Sequence, residues 1–378
     1  MRESARPTLA EVAAAAGVSP STASLAYSGS TRVAPATRDR VLAAAQRLGY
    51  AGPDPLAASL RRGRSGVVGA LIGERLLYAF RDPVAITLLD GITEVLGPHG
   101  VGLLLLAGDA GRPSAEQLAR LPLDAAIFAT CGLEDDPALT QLRRRGVPVV
   151  GVEGPTGTDV LIDIDDVGGI RALARHLYDL GHRRVEGIAM PLRLDGTTGP
   201  VSRARRARLH YRDVGRRLEG VEDVFGAVPT YETASNAVAD GVAAGRTLLD
   251  VPAARRPTAV IAQSDVLAAG VLQAADELGL RVPQDVSVTG FDGADLHWLG
   301  ATRLTTVVQP TAEKGRAAAR AAMDLVGGGT AQDVALPVTL RIGTTSGPPP
   351  RAGPRVRGGG GAGVRGRAHG GSRTDRTP

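Results

Sequence analysis

Thr8-Leu9-Ala10-Glu11-Val12-Ala13-Ala14-Ala15-Ala16-Gly17-Val18-Ser19-Pro20-Ser21-Thr22-Ala23-Ser24 decides how this chain is read. Thr8 followed three residues later by Glu11 is a capping box, in which hydroxyl and carboxylate satisfy amides at a helix start. Leu9, Val12, Ala13 and Ala16 then form one apolar face. Gly17 ends the helix because it takes the left-handed conformation that a side chain resists. Ser19 caps the next helix, and Pro20 fills its first position, where the missing N–H costs nothing. This second helix is expected over 20–28, exposing Ser21, Thr22, Ser24 and Leu25. A third is expected over 35–48, stopped by Gly49. Two short helices joined by a glycine turn and braced by a third fit either a helix-turn-helix, a unit that enters the DNA major groove, or a small Ala-rich three-helix bundle.

Charge outside this head is consistent with the first of these readings. The 378 residues carry a formal net charge of +5. Residues 1–66 contribute +5 and residues 351–378 contribute +6, which leaves −6 for 67–350. A basic head on an acidic body points to a head that meets a polyanion. Lys314 is the single lysine, and Cys131, the single cysteine, forms no internal disulfide. No apolar run approaches the ~20 residues of a membrane span, and the first residues lack a signal peptide's apolar core, so a cytoplasmic protein is expected.

From 67 to 345 the pattern changes to short aliphatic runs alternating with amphipathic helices. Strands are expected at 66–72, 102–107, 125–130, 148–152, 160–164, 184–189, 259–262 and 286–291. Helices are expected at 83–96, 114–120, 136–145, 167–180, 234–249, 264–278 and 312–326. Such alternation specifies parallel sheets wrapped by helices, and some 280 residues suit two α/β lobes better than one open sheet. The organisation read is 1–50 DNA-binding head, 51–66 hinge and linker, 67–345 two-lobed body and 346–378 a Gly/Arg/Pro-rich tail, too poor in apolar residues to order itself.

The head closely resembles that of the LacI/GalR family of bacterial transcriptional regulators. The resemblance continues through Arg32-Val33-Ala34-Pro35-Ala36-Thr37-Arg38, Leu48-Gly49-Tyr50 and Pro55-Leu56-Ala57-Ala58-Ser59-Leu60. It implies that Pro20, Ser21 and Leu25 face base edges, while Ser19, Thr22, Ser24, Ser28, Arg32 and Thr37 hold the phosphate backbone. It also implies a hinge helix in which Ala57 and Leu60 enter the minor groove. Six residues are too few for a stable isolated helix, so such a hinge forms only when paired in a dimer and docked on DNA. Leu25 departs from the polar residue common there and, being apolar, suits a thymine methyl rather than guanine. Asp54 and Ala58 replace the usual Asn and Arg, Gly52 is an apparent insertion, and Ala34 replaces the usual Ser cap.

The body resembles the family's effector domain, a periplasmic-binding-protein-like fold, through His176-Leu177-Tyr178-Asp179-Leu180-Gly181-His182 and Leu280-Arg281-Val282-Pro283-Gln284-Asp285-Val286-Ser287-Val288-Thr289-Gly290-Phe291-Asp292. The resemblance implies a small-molecule effector, a sugar among the candidates, held between the lobes by Asp82, Ser264, Asp292 and an arginine. Arg206 is selected for the last role over Arg203 and Arg205. Tyr78, Phe80 and Trp298 are the candidates for stacking on a ring. No Walker loop, Gly-x-Gly-x-x-Gly opening or Gly-x-Ser-x-Gly elbow is present, so no enzyme is expected. Neither a cofactor nor a metal is expected: strand alternation points Asp163 and Asp165 to one face and Asp166 away, and the three read as an acidic helix start. The expectation is a homodimeric, effector-responsive repressor; the alternatives are a regulator without small-molecule control or a solute-binding protein.

Overall fold

The computed structural model describes residues 7–52, 63–72, 76–107, 113–129, 136–193 and 195–350. Ala57 and Leu60, expected in a hinge, Cys131 and the tail from 351 lie outside them.

The head contains three helices: α1 (Leu9–Ala16), α2 (Pro20–Tyr27) and α3 (Pro35–Leu48). Both halves of the capping box form, with Thr8 N donating to Glu11 Oε2 at 2.7 Å and Glu11 N donating to Thr8 Oγ1 at 3.3 Å. Gly17 and Gly49 end α1 and α3 with φ of 65° and 67°. Ser19 accepts from Thr22 N at 3.2 Å to start α2. Ala34 gives α3 no side-chain cap, but Arg38 Nη2 ties that helix back to the Gly29 and Ser30 carbonyls at 2.8 and 2.9 Å. Val12, Ala23, Ala26, Val41 and Ala44 close the core with Tyr50. Alanine at the contacts lets these short helices approach closely.

Six parallel strands form the first sheet, in the order β12-β5-β4-β3-β1-β2. They are β1 (Val67–Leu71), β2 (Gly102–Leu106), β3 (Ala125–Phe128), β4 (Val149–Val152), β5 (Val160–Ile164) and β12 (Val334–Leu336). The second sheet has the order β13-β11-β10-β9-β6-β8-β7, where β6 is Val185–Ala189, β7 is Gly199–Pro200, β8 is Thr230–Glu232 and β9 is Ala259–Ala262. Its remaining members are β10 (Ser287–Asp292), β11 (Thr305–Val308) and β13 (Thr339–Arg341). Only β13 and β7 run antiparallel to their neighbours, at opposite edges. Central strands such as β3, β4 and β9 are buried throughout, as expected where helices cover both faces of a parallel sheet.

The chain passes between the lobes three times: from β5 into helix Asp166–Asp179, from β11 into helix Thr311–Val326, and from β12 into β13. Helix Thr311–Val326 therefore returns to the first lobe and packs along helix Pro83–Leu96. Two glycines permit this contact. A Cβ at Gly91 would meet the Ala312 carbonyl oxygen at 2.1 Å, and one at Gly315 would meet that of Leu88 at 2.2 Å.

Most of the strands and helices expected from sequence are present with ends shifted by one or two residues; the 234–249 helix starts four later, at Val238. Short edge strands lacked an apolar signature. A larger omission is helix Arg212–Phe225, which is rich in charge yet buries Val214, Leu218 and Val221 on one face. The body also extends past 345. Ser346 bonds His176 and Thr305 at 2.9 and 2.7 Å, and the Gly347 carbonyl accepts from buried His182 at 2.8 Å.

Candidate functional site

On the head, α2 turns its buried side, Ala23 and Ala26, to the core and its other side to solvent. Ser19, Pro20, Ser21, Ser24, Leu25 and Ser28 are exposed, as is Arg32 in the following loop, while Thr22 and Thr37 are half-buried. Leu25 keeps 40% of its surface in water although it is apolar. The Ser19 hydroxyl lies 2.9 Å from that of Ser21 and 2.8 Å from that of Thr22. These hydroxyls cluster at the positive end of α2, where helix amides and dipole favour phosphate.

In the body, the lobes face each other across a cavity of about 150 Å³. Asp82 caps helix Pro83–Leu96, its Oδ1 accepting from Val84 N at 2.9 Å. The side chain of Asn236, on the second lobe, faces it closely enough to favour its charged form. Burial, the largest influence, raises its pKa despite these donors. Asp292 ends β10 with φ of 121°, and Glu153 follows β4 with φ of 59°. Both conformations are uncommon for residues with side chains; such strain of about 1–3 kcal/mol collects at sites where position matters.

A chain of polar contacts runs through the cavity wall. Lys314 donates to Glu153 and to Gln309. Gln309 Nε2 donates to Asp292 Oδ1 at 2.7 Å. Arg217 Nη1 lies 3.8 Å from that same oxygen. Its Nη1 donates to the Gln263 carbonyl at 2.7 Å, its Nε donates to Asp166 at 2.8 Å, and its guanidinium covers the Phe291 ring at 3.8 Å. Burial pushes the Asp166 carboxyl up to about 7 against the pull of Arg217. Burial likewise raises Asp292 far above the usual carboxylate range.

Asp82 and Asp292 thus lie on the cavity, while two other expected residues do not. Ser264 is fully buried behind it, capping helix Asp265–Glu277 and donating to Asn236, which reaches the cavity in its place. Arg206 pairs with Glu222 instead. It sits on the short helix Arg203–Arg206, beside the edge strands; Arg205 there is held by Glu232 and Asp195 at 2.8 and 2.6 Å. The arginine that reaches the cavity is Arg217, from the helix missed in the sequence. The signal that could have found it is faint: Val214, Leu218 and Val221, spaced among seven charged residues, place Arg217 on the buried side by helical spacing. Phe80 and Trp298 are 56% and 50% exposed and absent from the lining, and the aromatic that lines it is Tyr211; Tyr78's side chain lies outside the description.

The acidic trio does not converge. Asp163 pairs with Arg216 at 2.9 Å, Asp165 caps helix Asp166–Asp179 through Gly168 N at 2.8 Å, and Asp166 turns to Arg217. Among the described residues no group of acids, histidines or cysteines is arranged to hold a metal, and no helix is long and apolar enough to cross a membrane.

Residues 8–52 match the model of bacterial regulatory proteins of the lacI family, and residues 174–346 match that of a periplasmic-binding-protein-like domain. An HTH-type transcriptional regulator of Mycolicibacterium smegmatis is 35% identical, over 91% of this chain and 97% of its own. The HTH-type transcriptional repressor CytR of Escherichia coli is 29% identical, over 85% of this chain and 90% of its own. A solved transcriptional regulator CelR–cellobiose complex is 28% identical with a TM-score of 0.62, covering 90% of this chain and all of that one. The chain belongs to the LacI family: it is a DNA-binding transcriptional regulator with a helix-turn-helix head and a periplasmic-binding-protein-like body.

Proposed function

We propose that this regulator is a cytoplasmic, homodimeric repressor whose grip on operator DNA is set by a small polar effector held between the lobes. What carries this reading is the pairing of an exposed, hydroxyl-rich α2 face with a cavity walled by both lobes. Pro20, Ser21 and Leu25 read base edges; Ser19, Thr22, Ser24, Ser28, Arg32 and Thr37 hold phosphates and fix register. Ala57 and Leu60 open the minor groove of the operator, unstacking one base step at a cost of a few kcal/mol recovered by closer contact.

Asp82 and Arg217 belong to opposite lobes, so a molecule bound by both changes the angle between lobes and the separation of the two hinges in the dimer. A coupling of about 1–3 kcal/mol gives roughly 5- to 150-fold regulation. CytR, named a repressor, and CelR, solved with cellobiose, support the direction of control and the polar class of effector.

The test is fluorescence anisotropy with duplexes from upstream of the protein's own gene, with excess unrelated DNA, and with and without fractionated cell metabolites. Selective binding that one fraction alters is the expected result. Binding that no duplex wins over unrelated DNA would overturn the reading.

A further inference from the structure

Six charged side chains line the cavity, four of them acidic. Asp82 and Glu153 line it from the first lobe, and Asp213 and Asp292 from the second. Asp166 stands directly behind, its Oδ1 on Arg217 and its buried Oδ2 without a hydrogen-bond partner. Only Lys314 and Arg217 bring positive charge to the lining. Both are already engaged: Lys314 by Glu153 and Gln309, Arg217 by Asp166 and the Gln263 carbonyl, with Glu153 and Asp292 within 4 Å.

The balance has a physical consequence. Asp82, Asp166 and Asp292 all bind protons more tightly than free carboxyls, because burial has stripped their water. A ligand that brings positive charge replaces that lost solvation; one that brings negative charge adds repulsion where little solvent screens it.

From this balance we propose that the molecule taken between the lobes bears an ammonium group beside its hydroxyls, and no phosphate or carboxylate. This rests on the cavity being the effector site. Asp82 and Asp292, on opposing walls, accept from the ammonium. Asn236 and Lys314 donate to hydroxyl oxygens next to it.

Three probes share one branched skeleton and differ in charge: tris(hydroxymethyl)aminomethane, pentaerythritol and 2,2-bis(hydroxymethyl)propionate. Melting temperatures of the full chain are compared with each probe at equal concentration and ionic strength at neutral pH. The expected order is cation above neutral above anion, the cation raising the midpoint by about 2 °C at ten times its dissociation constant. Asp82→Asn retains a helix cap, since Asn caps as well as Asp, and narrows the gap between cation and neutral probe; Asp292→Asn gives the same comparison on the other wall. Any other order, equal shifts, no shift, or an order untouched in both variants overturns the proposal. Operator binding by the probe-free wild type, measured alongside, reports separately on the regulator reading.

Discussion

Arg217 Nε lies 2.8 Å from Asp166 Oδ1, with both side chains almost wholly removed from water. The pair joins the start of helix Asp166–Asp179, just after a lobe crossing, to the cavity wall. Replacing Arg217 by Met leaves Asp166, Asp292 and Glu153 around a missing cation. Stranding buried charge in this way costs about 3–5 kcal/mol. Urea denaturation is expected to show that loss, and adding Asp166→Asn to recover part of it. A loss below 1 kcal/mol would mean that the pair is structurally idle.

The helix contact in the first lobe gives contrasting predictions at two glycines. Gly91→Ala drives a methyl into the Ala312 carbonyl and costs about 1–3 kcal/mol through overpacking. Gly97, five residues after Ile92, has helical φ and ψ of −55° and −51° and open space where a Cβ would go. Gly97→Ala meets no neighbour, but the gain from restricting the unfolded chain is offset by the strain of a Cβ at helical φ and ψ before Pro98, so little net change is expected. Thermal melts of the two variants check the contrast.

Asp265 supplies a pH dependence. It is fully buried, accepting from Thr306 Oγ1 at 2.6 Å and Ala294 N at 2.8 Å. Burial, above all, pushes its pKa up to about 6, above the usual aspartate range. A raised carboxyl pKa means that the folded state holds the proton more tightly. Its stabilisation is therefore complete below the unfolded value and lost as pH climbs through about 6. Between pH ~4 and ~7 the wild type should lose up to about 3 kcal/mol more than Asp265→Asn. Equal pH slopes in the two proteins would show that this carboxyl does not titrate there.

On the head, two substitutions separate grip from reading. Arg32→Ala removes one exposed cation, so binding should weaken on all duplexes alike and the salt slope should fall by about 1. Leu25→Ala removes no charge. Its salt slope should stay constant while its preference at one base pair relaxes, by about 1–3 kcal/mol if a thymine methyl is lost. Titrations at three salt concentrations on matched and single-mismatch duplexes distinguish the two.

The head was almost fully legible, because each of its boundaries carries a chemical mark: Thr8 with Glu11, Gly17, Ser19 with Pro20, Gly49. The aliphatic strands were legible for the same reason that they are central. Helix Arg212–Phe225 was hidden by its charge: Arg212, Asp213, Arg216, Arg217, Glu219, Glu222 and Asp223 obscure a three-residue apolar stripe. With it went the arginine of the cavity. Ser264 was placed correctly at the end of a strand, but depth cannot be read from order along the chain, and Asn236, from a different segment, covers it. Lys314 stood out in the sequence as the single lysine among 44 Lys and Arg residues, and its role emerged only when Glu153 and Gln309 met it.

The return of the chain to the first lobe sets an order on synthesis. β12 covers the open edge of β5, and Leu161 N donates to Asp333 Oδ1 at 2.8 Å across 172 residues of sequence. Until the ribosome has made that distant strand, the β5 edge is bare and available to chaperones or to a neighbouring nascent chain. Within the head, by contrast, the packed core needs nothing beyond Tyr50. A growing polypeptide therefore carries a folded helix-turn-helix head well before the body behind it can be assembled.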